Sequence, residues 1–362
     1  MLGITISKLF RRFCVNYTGG LMLRKEWNAV IFGLLLVQGC AEPLPPVQTF
    51  SGFAQGTTYH ISYWTPQAQD DAQITTEVEK VFLDLDKTLS NYRPDSTIEQ
   101  FNANTSTNNQ LVGEEIVALV KVAENVSKLS QGCYDLTIKP LFEMWGFMGE
   151  ELTIPDDVAL QAALANIGMD KLQLVDDSHM SKKLPNVRVD LSSIAQGYSV
   201  EKISNALEAL GIQNYLVEIG GELKALGSKP DGKAWRIAVE KPLPGEQKMH
   251  KVVTLPRETP MSVMTSGTYR HYFDVKGKRY SHILDARNGK PVTHDLVAVS
   301  VFNESPTIAD AWSTALLCLG QEDGMKLADA EKLQVMFIQQ QGTEFVESKT
   351  RALTMSTQVT IN

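Results

Sequence analysis

Asp310 and Thr314 stand four residues apart, a spacing that sets a carboxylate and a hydroxyl on one face of a helix. Both are hard oxygen donors, suited to Mg²⁺ rather than to zinc or copper. Such a pair also occurs on solvated faces. Here Ala309, Ala311, Ala315, Leu316 and Leu317 make the helix largely buried, where an unpartnered carboxylate is costly. A second feature is Val189-Asp-Leu-Ser-Ser-Ile-Ala-Gln-Gly197, an aspartate at a strand end with two serines where a helix opens. Free N–H groups and hydroxyls there suit an anion such as a diphosphate; equally, Ser192 is placed to cap the helix. Glu218-Ile-Gly-Gly-Glu222 puts two glycines at a strand end, which marks a bend or a point where a ligand touches backbone. Thr265-Ser-Gly-Thr-Tyr-Arg270 is a polar turn. Within Tyr280–Pro291, His282 stands near Asp285 and Arg287; most lone histidines are structural, but one so placed can shuttle protons. The chain has no G-x-S-x-G, Walker or G-x-G-x-x-G motif, which argues against hydrolase, NTPase and Rossmann readings.

The elements that must hold these residues read as α+β. Ile74, Val78, Val81, Phe82, Leu85 and Leu89 follow helical spacing, as do Ile116, Leu119, Val120, Ala123 and Val126. A third helix is expected over Pro155–Ile167. Val187–Asp190 reads as a strand, and Leu191–Tyr198 opens a helix that continues through Leu210. Strands are expected at Tyr215–Ile219, Trp235–Glu240, His271–Val275, Tyr280–Leu284 and Val297–Phe302, a helix at Ile308–Leu319, and a hairpin from Val335–Gln339 to Glu344–Glu347. Runs of helices and runs of strands, without strict alternation, predict mixed or antiparallel sheets with flanking helices. No linker divides the body, so residues 49–350 form one two-lobed domain, followed by a C-terminal tail at 351–362.

Charge separates the N-terminus from the rest. Residues 1–39 carry a net +4, and the remaining 323 residues carry −12. So acidic a body has no electrostatic footprint for nucleic acid. Arg24-Lys25, the apolar run Ala29–Val37 and Gly39 before Cys40 describe a secretory leader, too short to span a bilayer. Leu36-Val-Gln-Gly-Cys40 resembles the bacterial lipoprotein box, in which Cys40 receives lipid after cleavage. The reading is a leader at 1–39, with translation starting at Met1 or Met22, and a lipidated tether at 40–48 stiffened by Pro43, Pro45 and Pro46. It implies a lipid-anchored protein facing the periplasm. Cys133 and Cys318 remain in the body; they could pair, but Cys318 lies in the apolar run Ala315–Leu319, where a buried free thiol is the commoner state.

Together these segments resemble the bacterial FAD:protein FMN transferases, the ApbE flavin transferase family, from about Gly52 to Gly320. Phe53–Thr58 looks like the family's opening element. Leu89–Ser96, Tyr134–Pro140, Trp145–Phe147 and Asp190–Tyr198 match four further motifs in order, and the segments described above complete the set. The resemblance implies that Gln55, Tyr92, Cys133, Tyr134, Asp135, Asp190, Gln196 and Leu284 contact FAD. It also implies that Ser193, Asp310 and Thr314 hold Mg²⁺. Gln55 replaces the family's usual Met, Cys133-Tyr134 its Ala-Phe, and Gln196 its Lys. The activity implied is Mg²⁺-dependent transfer of FMN from FAD to a Thr or Ser hydroxyl of membrane redox subunits, releasing AMP. His282 is the residue expected to deprotonate or steer that hydroxyl. An Mg²⁺-dependent FAD pyrophosphatase and a periplasmic flavin-binding lipoprotein are the alternatives.

Overall fold

The computed structural model describes residues 43–362 apart from 68, 150, 244–248, 270–271 and 276–277. The expected leader, Cys40 and the first tether residues lie outside the described residues, and Leu44–Asn362 is one compact unit. Its helices are α1 (Asp71–Leu89), α2 (Thr97–Ala103), α3 (Glu114–Leu129), α4 (Lys139–Trp145), α5 (Asp157–Leu164), α6 (Ala195–Ala209), α7 (Pro306–Ala330) and α8 (Arg351–Met355). The Asp70 carboxylate caps α1 by accepting the Ala72 and Gln73 amides at 3.0 and 3.3 Å. The expected stripe Ile74, Val78, Phe82, Leu85 and Leu89 is its buried face. The helix expected over Pro155–Ile167 is the shorter α5, because Asp156 caps it by accepting the Ala159 amide at 2.7 Å.

Eight strands form the central sheet, and their spatial order is their chain order: Gln48–Ala54, Thr57–Tyr63, Tyr215–Ile219, Glu222–Leu226, Met261–Gly267, Leu296–Asn303, Gln334–Gln341 and Glu344–Lys349. Every neighbouring pair is antiparallel, so the expected α+β class takes its purely antiparallel form. The middle of the sheet is buried on both faces, whereas its edge strands expose alternate residues. Val299 and Val301 point into a core shared with α1, α3, α6 and α7. Ala298 and Phe302, on alternate positions, join a second core under the small sheet of Arg236–Glu240, Met249–Thr254 and Thr360–Ile361. A third cluster gathers α4, α5, Leu284 and Ala286. Among the described residues no helix is long and apolar enough to cross a membrane.

Three expectations are corrected. Val187–Asp190 is not a strand, because side chains and turn carbonyls (Leu184 for Val187, Leu136 for Asp190) rather than a neighbouring strand take its backbone groups. The Asn102 side chain bonds the Val189 amide at 2.7 Å and carbonyl at 2.8 Å, and the Asn91 carbonyl oxygen accepts the Leu191 amide at 2.7 Å. The stretch 351–362 is no tail: Thr350 caps α8, Leu353 and Val359 are buried, and Thr360–Ile361 pairs with Val253–Thr254. Cys318 is not a free thiol but is disulfide-bonded to Cys133, 185 residues away in sequence, with Cα atoms 6.0 Å apart. His271 and Arg270, in segments singled out above, lie outside the described residues.

Candidate functional site

Ser305 caps α7 by accepting the Ile308 amide at 3.3 Å, and Pro306 supplies the favoured first residue. Along the buried face of α7, Asp310, Thr314 and Cys318 recur at intervals of one turn, and all three line one cavity of about 260 Å³. The start of α6 lies against this face. Gly197 must be glycine there, since a Cβ would come within 2.5 Å of the Pro306 carbonyl oxygen and 2.6 Å of the Asp310 Cβ. That close approach lets Asp310 Oδ2 accept the first-turn Gly197 amide at 2.8 Å. Asp310 is 6% exposed, and burial pushes its carboxyl up to about 7 against the opposing Gly197 bond. Its other oxygen meets no protein donor among the described residues.

Hydroxyls share this part of the fold with Asp310. Ser266 Oγ lies 2.9 Å from Thr314 Oγ1 and 2.7 Å from Ser313 Oγ, and Ser313 Oγ donates to the Asp310 carbonyl at 2.8 Å. Across the cavity Ser193 Oγ donates to the Tyr134 hydroxyl at 3.2 Å. Burial, with Asp310, Asp135 and Asp190 nearby, drives the Tyr134 phenol far above its ordinary pKa. Asp190 turns back on the chain, accepting the Ser192 amide at 2.9 Å and the Ser192 hydroxyl. Ser192 therefore serves Asp190 and does not cap α6, which has no side-chain cap. Burial raises the Asp190 pKa as well.

The remaining expected contacts divide. Tyr92, Cys133, Tyr134, Asp135, Gln196, His282 and Leu284 line the same cavity. Asp135 spends both oxygens on the fold, Oδ1 on the Thr137 amide (2.8 Å) and Oγ1 (2.5 Å), Oδ2 on the Met169 amide (2.9 Å). Gln196 donates to the Ile219 carbonyl at 2.8 Å, against the tight Gly220-Gly221 turn, where both residues have positive φ. Gln55 is not among the lining residues: it sits at φ 52° between the first two strands, its amide on Ser199 Oγ at 2.8 Å. His282 is half-buried, and Asp285 is clamped by Arg287 at 2.7 and 2.8 Å rather than turned to the histidine. Cys133, Cys318 and Asp285 converge within 4.8 Å, but bonded sulfurs and a carboxylate held by Arg287 and Asn288 leave no ligand set for a cation. Ser266 and Glu222 also line the cavity, Glu222 Oε2 accepting the Thr265 amide at 2.9 Å. Their segments were visible in sequence as a polar turn and a glycine bend, but their place in the cavity, with Ser266 beside Thr314, was not.

The site pairs a carboxylate–hydroxyl cluster with a helix start on an antiparallel α+β frame. It is chemically suited to a phosphate-bearing ligand held beside a hard cation. Comparison with known proteins places the chain more closely. The ApbE family model matches residues 55–337, and the chain belongs to the ApbE family. It is 36% identical over 317 residues to the FAD:protein FMN transferase of Vibrio cholerae, covering 87% of this chain and 93% of that protein. With the FAD:protein FMN transferase of Escherichia coli K12 it shares 31% over 329 residues, covering 88% and 93%. The solved flavin transferase ApbE of Vibrio cholerae superposes with a TM-score of 0.77 at 34% identity, covering 85% of this chain and 99% of that one. The Pseudomonas stutzeri flavinyl transferase ApbE, apo form, gives 0.77 at 39% identity, covering 85% and 96%.

Proposed function

We propose that this protein is an FAD:protein FMN transferase that moves FMN from FAD onto a Thr or Ser hydroxyl of a partner protein and releases AMP. The observation that carries the reading is one cavity shared by Asp310, Thr314, Ser193 and Asp190. Family membership and the names of the relatives support it. The donor set fits Mg²⁺: one Asp310 oxygen is open to the cavity, and the neighbouring donors are hydroxyls. Asp310, Thr314 and Ser193 would hold the ion, which when bound neutralises charge on the diphosphate. Ser193 and Gln196, at the start of α6, line the cavity where they would meet that diphosphate, and the rings of Phe142, Phe147 and Tyr92 line the same cavity and would flank the flavin. His282 takes the acceptor hydroxyl's proton on a ring nitrogen as its oxygen bonds the FMN phosphorus and the bond to the AMP phosphate breaks.

The acceptors proposed are subunits of membrane redox complexes, and the site of action is the periplasmic side of a membrane, reached through lipid on Cys40. A disulfide in the body suits that oxidising compartment. The test is incubation with FAD, Mg²⁺ and an acceptor subunit, read by in-gel flavin fluorescence and AMP release. Fluorescent acceptor with one AMP per adduct is expected. AMP without adduct would make the protein a pyrophosphatase, and neither product would leave it a flavin binder.

A further inference from the structure

The Cys133–Cys318 disulfide sits in the cavity wall, on the helical stripe that carries Asp310 and Thr314. Cys318 is one turn beyond Thr314, about 6 Å along the axis at 1.5 Å per residue. Two residues further, α7 breaks: Gly320 has φ 80° and ψ 179°. The helix after the break therefore does not hold the rotation of the cavity-facing part. On the other side, Cys133 precedes Tyr134, which bonds Ser193, and Asp135, which anchors the turn entering α4. The bond joins the wall carrying Tyr134 to the helix carrying Asp310 and Thr314, and both sulfurs are buried, Cys133 at 1% and Cys318 at 5% exposure. Lengthwise, α7 is fixed by its contacts with α6 and the sheet. The disulfide adds a constraint on which way its polar stripe faces.

We propose that this disulfide is a redox-controlled clasp that sets the aim of Asp310 and Thr314 in the ligand cavity, so that the binding site is fully assembled only in an oxidising compartment. The inference rests on the proposed flavin reading for its ligand, but not for the clasp itself. Formation removes two electrons and two protons from the thiol pair. A small-molecule or protein disulfide takes them up and is released as its two thiols, one when a cysteine forms the mixed disulfide and the other when the second cysteine's thiolate attacks it. In the reduced chain both walls remain folded while the link between them is lost. A chain still inside a reducing compartment would then hold its flavin ligand weakly.

The test compares the oxidised protein, the protein reduced and alkylated at both thiols, and the Cys133→Ala/Cys318→Ala variant. FAD affinity is read from flavin fluorescence, and amide exchange is followed across residues 306–320. Loss of the clasp should weaken FAD binding about tenfold through lost preorganisation, speed exchange in this segment of α7 alone, and leave the far-ultraviolet spectrum unchanged. The double variant should match the reduced protein and ignore reductant. Equal affinity and equal exchange in oxidised and reduced protein would overturn the proposal. So would exchange rising throughout the unit, which would make the bond a general staple. FAD binding in neither state would sink the flavin reading instead, and exchange in α7 would still report on the clasp.

Discussion

Asp135 and Asp310 are both buried carboxylates lining one cavity, 6% exposed each, yet they are built differently. Asp135 gives every oxygen to the chain: two amides and a hydroxyl hold it, and it in turn holds the Leu136–Ile138 turn and Met169. Asp310 receives a single amide and turns its other oxygen to a cavity ringed by hydroxyls. Burying a carboxylate costs several kcal/mol unless something offsets it. At Asp135 the offset is internal, whereas at Asp310 it is left for something that enters. Burial alone therefore does not mark a working group. Burial with an unclaimed oxygen does.

The sharpest way to break this contrast is Asp310→Ala. Transfer should fall by about 10³-fold or more, the Mg²⁺ dependence should vanish, and the protein should stay folded. Near-normal transfer in chelator-treated buffer would place the cation elsewhere. His282→Ala should keep FAD affinity while slowing transfer about 10²–10⁴-fold, as titration against single-turnover rates will show; a matching loss of binding would make His282 part of the frame. Asp135→Ala should do the reverse of Asp310→Ala. It orphans three donors and should cost about 2–3 kcal/mol in urea unfolding, with the response to Mg²⁺ intact.

A gentler probe is pH. Burial raises the Asp310 carboxyl from 3.8 to about 7. Between those values the folded cation-free chain keeps a proton that the unfolded chain has lost, so stability from this group falls as pH rises through the window. Asp135 and Asp190 are raised too and act in the same direction. Melting curves across this range should therefore flatten only in part for Asp310→Asn, and an unchanged slope would mean that Asp310 is already ionised. The smallest effect is expected from Gln196→Lys, which frees the Ile219 carbonyl and brings a cation near an anionic ligand. FAD affinity should rise by about threefold, and a decrease would show that the Gln196 bond is needed to shape the turn.

Much of this frame was legible in the chain. The buried stripes of α1 and α3, the carboxylate–hydroxyl spacing of α7 and the glycine bend are local patterns with local causes. What escaped depends on distance. Nothing in the stretch itself announces that Asn91 and Asn102 will take the Val189 backbone bonds, so residues with strand-like side chains run without strand pairing. Nothing near Cys318 announces Cys133, and an apolar run reads the same with a thiol or a disulfide. Gln55, which the resemblance sets among the ligand contacts, gives its side-chain amide to Ser199 and lies outside the lining residues, a bond across 144 residues that no local pattern shows.

Gly197 has a consequence beyond its hydrogen bond. With no room for even a methyl group at Gly197, the start of α6 lies directly against the first turn of α7. The spacing between the start of α6 and the Asp310 carboxylate is thus set by close backbone contact. A ligand that bridges the two must match that spacing, and any side chain at position 197 would widen it.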